Sequence, residues 1–171
     1  LETRNAVSVI RLITRLIFVW FIREKGLVPA ELFDERSLRP LLRWNDPKQS
    51  TYYKAILQNL FFATLNTEMG AGRRFRSRNP AGQDAHFGIP TFYRYESLFT
   101  DPAAALGLFA DIPFLNGGLF ECLDRPAQGV RVDGFSDRGD NPLAVPDALF
   151  FAEPREVDLN AVFDTRNKKY P

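Results

Sequence analysis

At 171 residues the chain is long enough for one domain with a substantial core, and its 13% aromatic content, including 16 Phe, excludes a disordered polymer. A net charge of +1 excludes polyanion binding by bulk charge, and a single cysteine, Cys122, excludes an internal disulfide and fits a reducing, cytoplasmic setting. The charge is uneven: residues 1–100 carry 15 Lys/Arg against 9 Asp/Glu (net +6), residues 101–164 carry 4 against 12 (net −8), and the last seven add +3.

Residues 5–25 read as a helix. Asn5 caps its start, Val9, Ile10, Ile13, Leu16, Ile17, Trp20 and Phe21 recur at helical spacing, and Gly26 stands where a left-handed C-terminal cap belongs. Arg4, Ser8, Arg11 and Arg15 form a polar stripe over its first half. Beyond Arg15 the helix is apolar all round, which predicts deep burial. Its uninterrupted apolar run, Leu16 to Ile22, is too short for a membrane span, and Arg23-Glu24-Lys25 is no signal cleavage site.

Pro29–Phe33 and Ser37–Trp44 read as short helical pieces. Asp46-Pro47 signals the start of a second core helix that runs to about Leu65, its apolar face carried by Tyr53, Ile56, Leu57, Leu60, Phe61, Phe62 and Leu65. Residues 67–88 form a Gly- and Pro-punctuated basic loop, and between Met69 and Gln83 it carries four arginines, Arg73, Arg74, Arg76 and Arg78, and no acid. Asp101-Pro102 starts a short Ala-rich helix to about Phe109. Asn116-Gly117-Gly118 sits between Phe114-Leu115 and Leu119-Phe120 and predicts a sharp, buried corner whose glycines take positive φ. Val130-Arg131-Val132 alternates like a short strand, residues 133–142 have loop chemistry, and Pro146–Phe151 reads as one helical turn. The fold class expected is mainly α: an irregular helical domain with a small β/loop-rich C-terminal half. It divides into a helical core (1–66), the basic loop (67–88) and a turn-rich half (89–171). Beginning without Met and stopping at Pro171, the chain reads as a fragment of a larger multidomain protein.

The residues offer little catalytic chemistry. His86 lies in the basic loop and reads as solvated, Cys122 as inert packing, and two such residues cannot build a Cys/His zinc site. Gly70-Ala71-Gly72 follows a helix and lacks the Gly-Lys-Ser/Thr of a phosphate loop. Asp133, Asp137 and Asp140 do not have EF-hand spacing and read as solvated turn carboxylates. Glu153-Pro154-Arg155 is not a nuclease Glu-x-Lys. The arginine loop is the best candidate for a contact: four guanidinium groups suit phosphate oxygens, and Phe75 among them suits a base. A solvated basic loop without a partner is the alternative.

Three blocks carry a resemblance. The stretch from Arg11 to Leu27 is an apolar helix ending in a charged pair, Gly and Leu. Tyr52-Tyr53 through Phe61-Phe62-Ala63-Thr64-Leu65-Asn66 is a second helix ending in Leu-Asn. Ile112-Pro113-Phe114-Leu115-Asn116-Gly117-Gly118-Leu119-Phe120-Glu121 is the most specific. In order and spacing they resemble the helical region that precedes the methyltransferase domain in Eco57I-type (type IIG-like) restriction-modification enzymes, large bacterial proteins that join DNA cleavage and adenine methylation. The ending Lys169-Tyr170-Pro171 resembles the lead-in to that domain. The resemblance implies a parent that uses S-adenosylmethionine, with Mg2+ for any nuclease, and double-stranded DNA and the adjacent methyltransferase and nuclease domains as partners. It implies no membrane. The family's Asn-Pro-Pro-Tyr/Phe motif is missing: Asn79-Pro80-Ala81 and Asn141-Pro142-Leu143 lack the second Pro and the aromatic. No catalytic residue therefore carries over, and no cofactor or metal ligand is assigned. The expected role is a noncatalytic connector, with Arg73, Arg74, Arg76 and Arg78 touching the DNA backbone and Asn116, Gly117 and Gly118 forming a structural corner. The alternatives are an independent enzyme with an acidic metal site in residues 133–158, or a protein-interaction module.

Overall fold

The computed structural model describes residues 2–46, 48–82, 85–86, 88–115, 117–125, 128–130, 132–135 and 144–151, with the backbone alone for residues 2–4. Among these the chain is mainly α, with no sheet and only isolated bridges joining Leu42 to Phe99, Phe75 to Tyr93 and Arg125 to Val130. Asn116, Arg131, Asp137, Asp140, the Asn141-Pro142 pair, Glu153-Pro154-Arg155 and Lys169-Tyr170-Pro171, with the expectations placed on them, lie outside the described residues.

The hub is a π-type helix, Tyr53–Leu65, preceded by a turn of α-helix at Thr51 and Tyr52. Every residue in it except Lys54 is buried, including the whole apolar face named from its periodicity. Its start is not the Asp46-Pro47 signal. Asp46 accepts from Lys48 N (2.9 Å) through its side chain, in a turn that precedes the helix. The orphan amides of the first helical turn are met from a distant part of the chain: the Asp147 carboxylate accepts from Thr51 N (3.2 Å) and Tyr52 N (2.8 Å). Two further polar groups fix loops to this helix. Asn59 exchanges hydrogen bonds with the Arg94 backbone (2.8 and 3.0 Å), and Thr64 Oγ1 meets Tyr93 Oη at 3.0 Å.

Helix α1 (Glu2–Glu24) ends as its sequence predicts. Gly26 has φ +73°, its amide donates to Arg23 O (2.8 Å), and Leu27 N donates to Ile22 O (3.0 Å), the paired bonds of a left-handed helix stop. Its orientation corrects the expected burial. Arg15 is only 2% exposed, whereas Ile17, Phe18, Trp20 and Phe21 stand in solvent, Ile17 at 67%. The stripe of Ser8, Arg11 and Arg15 is the inward face, together with Leu12, Leu16, Val19 and Ile22.

The remaining elements follow local rules. A 3-10 turn at Ala30–Phe33 leads to α2 (Glu35–Leu38), capped by Asp34, which accepts from Ser37 N at 3.0 Å. Helix α3 (Pro102–Ala110) starts with Asp101 accepting from Ala103 N (2.9 Å) and Ala104 N (3.1 Å), with Pro at the first helical position. Helix α4 (Ala148–Phe151) delivers Phe150 and Phe151 onto Tyr52, at ring separations of 4.9 and 4.7 Å.

Candidate nucleic-acid interface

The four arginines of the basic loop have different surroundings. Arg73 turns inward and donates to four carbonyls: Thr64 (2.8 Å), Thr67 (2.9 and 3.2 Å), Ile112 (2.6 Å) and Phe109 (3.2 Å). It thereby closes the C-terminus of the central helix and ties it to the end of α3, where a cation is favoured by the helix dipole. Burial holds its pKa below the ordinary arginine value. Arg74 lies over the Phe92 ring (4.5 Å) and 3.3 Å from His86 Nε2. His86 is half-buried, stacks on Phe92 at 4.2 Å and receives Ser77 N at Nδ1, so it is a packed loop residue and not a solvated one.

Arg76 and Arg78 line a hollow of about 420 Å3. Arg43 and Arg94 join them from separate parts of the chain, against one acid, Glu96, and Phe75, Tyr93, Tyr95 and Phe99 supply aromatic walls. Arg43 is positioned because residues 41–43 pair with 98–100: Arg43 N donates to Leu98 O (2.8 Å) and Thr100 N to Leu41 O (2.9 Å), while Arg43 Nε reaches Phe99 O (3.1 Å). Arg94 is fixed by Asn59 beneath it, donates to Ile89 O and lies 5.3 Å from the Phe135 ring centre. Tyr95 is the one non-glycine residue with positive φ (59°) among the described residues, and burial drives its hydroxyl pKa well above the ordinary phenol value. A bulky residue held there stores local strain, and such strain collects at binding sites. Arg94, Tyr93 and Phe99 are at most 2% exposed and support the hollow from within, so Arg43, Arg76 and Arg78 are the cations it turns toward anionic oxygens.

Neither Arg43 nor Arg94 stands out by clustering in the sequence. The signal that could have found them is an adjacent aromatic: Trp44 follows Arg43, and Tyr93 and Tyr95 flank Arg94.

A second polar cluster lies beneath α1. Asp133 is 2% exposed, which corrects its reading as a solvated turn carboxylate. Its Oδ1 accepts from Arg15 Nη1 (2.7 Å) and Arg11 Nε (2.9 Å), and its Oδ2 from Leu123 N (2.7 Å) and Arg11 Nη2 (3.3 Å). Burial alone would raise its pKa, but the hydrogen bonds from Arg15 and Arg11 outweigh it and hold the carboxyl below the usual range. Asp124 accepts from Asp133 N (2.8 Å) and Gly134 N (3.2 Å), and burial raises its pKa. No group of three or more potential ligands for a metal occurs among the described residues, and Asp133 already faces two guanidinium groups. Burial raises the Cys122 thiol to about 12, which leaves little thiolate for chemistry near neutrality.

The glycine corner differs from its expected form. Gly117 and Gly118 are exposed, neither has positive φ, and a side chain at either would meet nothing within 4 Å. What is buried is its shoulder. Phe120 packs between Phe18 (5.7 Å) and Phe61 (5.9 Å), and Leu115 N donates to Leu65 O (2.8 Å). The arginines of α1 hold the far side: Arg15 donates to Leu119 O (2.8 Å) and Glu121 O (3.0 Å), and Arg11 to Glu121 O (2.9 Å).

No family model matches the chain, and no solved structure does. Over 119 residues, 67% of its length, the chain is 32% identical to the "Putative type II restriction enzyme and methyltransferase RM.MjaORFECS2P" of Methanocaldococcus jannaschii. The chain is thus similar to part of a restriction-modification protein, and the match spans 7% of that relative's length.

Proposed function

We propose that this chain is a noncatalytic connector in a restriction-modification adenine-N6 DNA methyltransferase, akin to the helical region before the methyltransferase domain of Eco57I-type enzymes, and that it touches the DNA backbone at the arginine hollow. The observation that carries the DNA contact is the convergence of Arg43, Arg76 and Arg78 on one hollow, underlain by the buried Arg94 and aromatic side chains. Similarity to a protein named for both restriction and methylation supplies the context. The described residues do not fit adenine methylation by S-adenosylmethionine. Asn79-Pro80 is an exposed turn followed by Ala81, with no ring to stack on an extruded base. That cofactor, and any Mg2+, belong to adjoining catalytic domains, and no chemical step is assigned to this chain.

The test is DNA binding by fluorescence anisotropy across a salt series. If Arg76 and Arg78 each neutralise a phosphate, replacing both with Ala lowers the slope of log K against log salt by roughly 2. Arg73→Ala, which removes an inward-facing cation, leaves the slope as it is. An unchanged slope in the Arg76/Arg78 double variant refutes the contact, and methyl transfer to DNA by the 171-residue chain alone refutes the noncatalytic role.

A further inference from the structure

The outward face of α1 is a second surface, separate from the hollow, whose lining contains no α1 residue. At about 100° per residue, Ile10, Ile13, Ile17 and Trp20 fall in one stripe with the alternating three- and four-residue spacing of a helix-pairing seam. They are also among the most exposed apolar side chains of the helix, at 64%, 51%, 67% and 57%. Val7, Val9, Phe18 and Phe21 widen the stripe. Together the eight expose roughly 800 Å2, taking about 200 Å2 for a fully exposed large side chain, which exceeds the largest patch of a typical monomer. About half of it belongs to the four seam residues, and the rest flanks them on either side.

We infer that this seam is a dimer interface, in which α1 pairs antiparallel with α1 of a second copy about a two-fold axis near residue 15. The sequence of the seam is complementary to its own reverse. Antiparallel pairing sets Ile13 against Ile17, Ile10 against Trp20 and Val9 against Phe21, so each large ring of one copy meets a smaller aliphatic of the other. Parallel pairing would set Trp20 on Trp20 and leave the valine end thin. No charged residue belongs to the stripe from Asn5 to Phe21; the Arg23 guanidinium lies over the Trp20 ring (4.6 Å) at its end, and antiparallel pairing keeps the two copies of Arg23 at opposite ends of the seam. Thr14, the polar residue beside it, already donates to Ile10 O at 2.8 Å and can be desolvated.

By length and composition Asn5–Glu24 also passes for a membrane-crossing helix, which its interrupted apolar run conceals. The opposite face argues against a bilayer. A helix lying on a membrane uses basic side chains on its polar face to meet anionic lipid, and here Arg11 and Arg15 are engaged with Asp133 and carbonyls inside the protein.

The test is the mass of the intact 171-residue chain by sedimentation equilibrium at micromolar concentrations. A dimer is expected. Ile17→Glu, which brings two desolvated carboxylates to the seam by symmetry, weakens it by at least about 100-fold. Circular dichroism stays unchanged, because Ile17 contributes little to the core of one copy. In a Cys122→Ser background, Ile10→Cys mixed with Trp20→Cys forms an intermolecular disulfide. Ile10→Cys alone does not, because its two copies lie about ten residues, roughly 15 Å, apart along the antiparallel pair. A monomer at every concentration, a dimer indifferent to Ile17→Glu, or disulfide formation by Ile10→Cys alone overturns the inference. So does a monomer that floats with anionic phospholipid vesicles, which assigns the seam to lipid.

Discussion

Removing the Arg15 guanidinium tests what holds α1 on the fold. In Arg15→Met the stem is kept and the charge is lost. Arg15 is one of two cations on Asp133, whose side chain is 1% exposed, and it also supplies Leu119 O and Glu121 O while lying 4.8 Å from the Phe62 ring centre. Glu121 O and Asp133 keep Arg11 as a donor, so neither is abandoned. Breaking a buried pair costs about 3–5 kcal/mol, and the retained Arg11 contacts place the loss near the lower end. An orphaned, partly buried Leu119 carbonyl adds about 1 kcal/mol, which the new apolar contacts of Met roughly offset. The expected loss is about 3 kcal/mol, or roughly 10 °C in melting temperature for a chain of this size. Urea unfolding followed by circular dichroism measures it, with the m-value checking that the unfolding transition is the same. In a cycle with Asp133→Asn the two losses should fall short of additive, since both remove one contact. A loss below about 1 kcal/mol would refute the reasoning, because an inward arginine face of so little consequence would not orient the helix.

Two further outcomes follow from the same residues. The folded pKa of Asp133 is depressed, so its stabilisation is complete above the unfolded carboxylate value of 3.8 and is lost as pH falls below it, where the unfolded chain binds the proton first. Asp124, raised by burial, works the opposite way, and Asp133→Asn should flatten the acid limb in urea titrations compared at about pH 5 and about pH 2.5. Gly26→Ala forces a side chain into the left-handed region and should cost about 1 kcal/mol. Gly117→Ala, at ordinary φ in open space, should stay within about 0.5 kcal/mol, and both are read by thermal melts.

Features legible in the sequence are those decided within a few residues. Asp101-Pro102 starts α3 and Gly26 stops α1, because caps and left-handed stops are satisfied by adjacent backbone groups. Features decided across the chain were not legible. The first turn of the central helix is capped by Asp147, some 95 residues away, so the local Asp46 was a plausible but unused signal. Gly117 and Gly118 have the composition of a tight hinge without its dihedrals. The arginine loop is visible as a cluster, but only the fold separates inward Arg73 from Arg76 and Arg78 and brings Arg43 and Arg94 to them.

The orientation of α1 shows why periodicity alone misleads. A helical repeat divides a helix into two faces, and assigning the apolar one to the core assumes that burying hydrocarbon releases more free energy than anything the other face could do. Here the competing face presents two guanidinium groups to a buried carboxylate and makes three hydrogen bonds to the Leu119 and Glu121 carbonyls. Leaving Asp133 buried without those cations costs several kcal/mol, comparable to exposing two or three large apolar side chains. Directional hydrogen bonds therefore fix the rotation of the helix about its axis. The hydrocarbon they displace outward forms the α1 seam, whereas the hollow owes its shape to Asn59 and the 41–43/98–100 pairing. Because different residues build them, the two surfaces respond to different substitutions, so the proposed DNA contact and the inferred self-association are tested by separate variants of one fold.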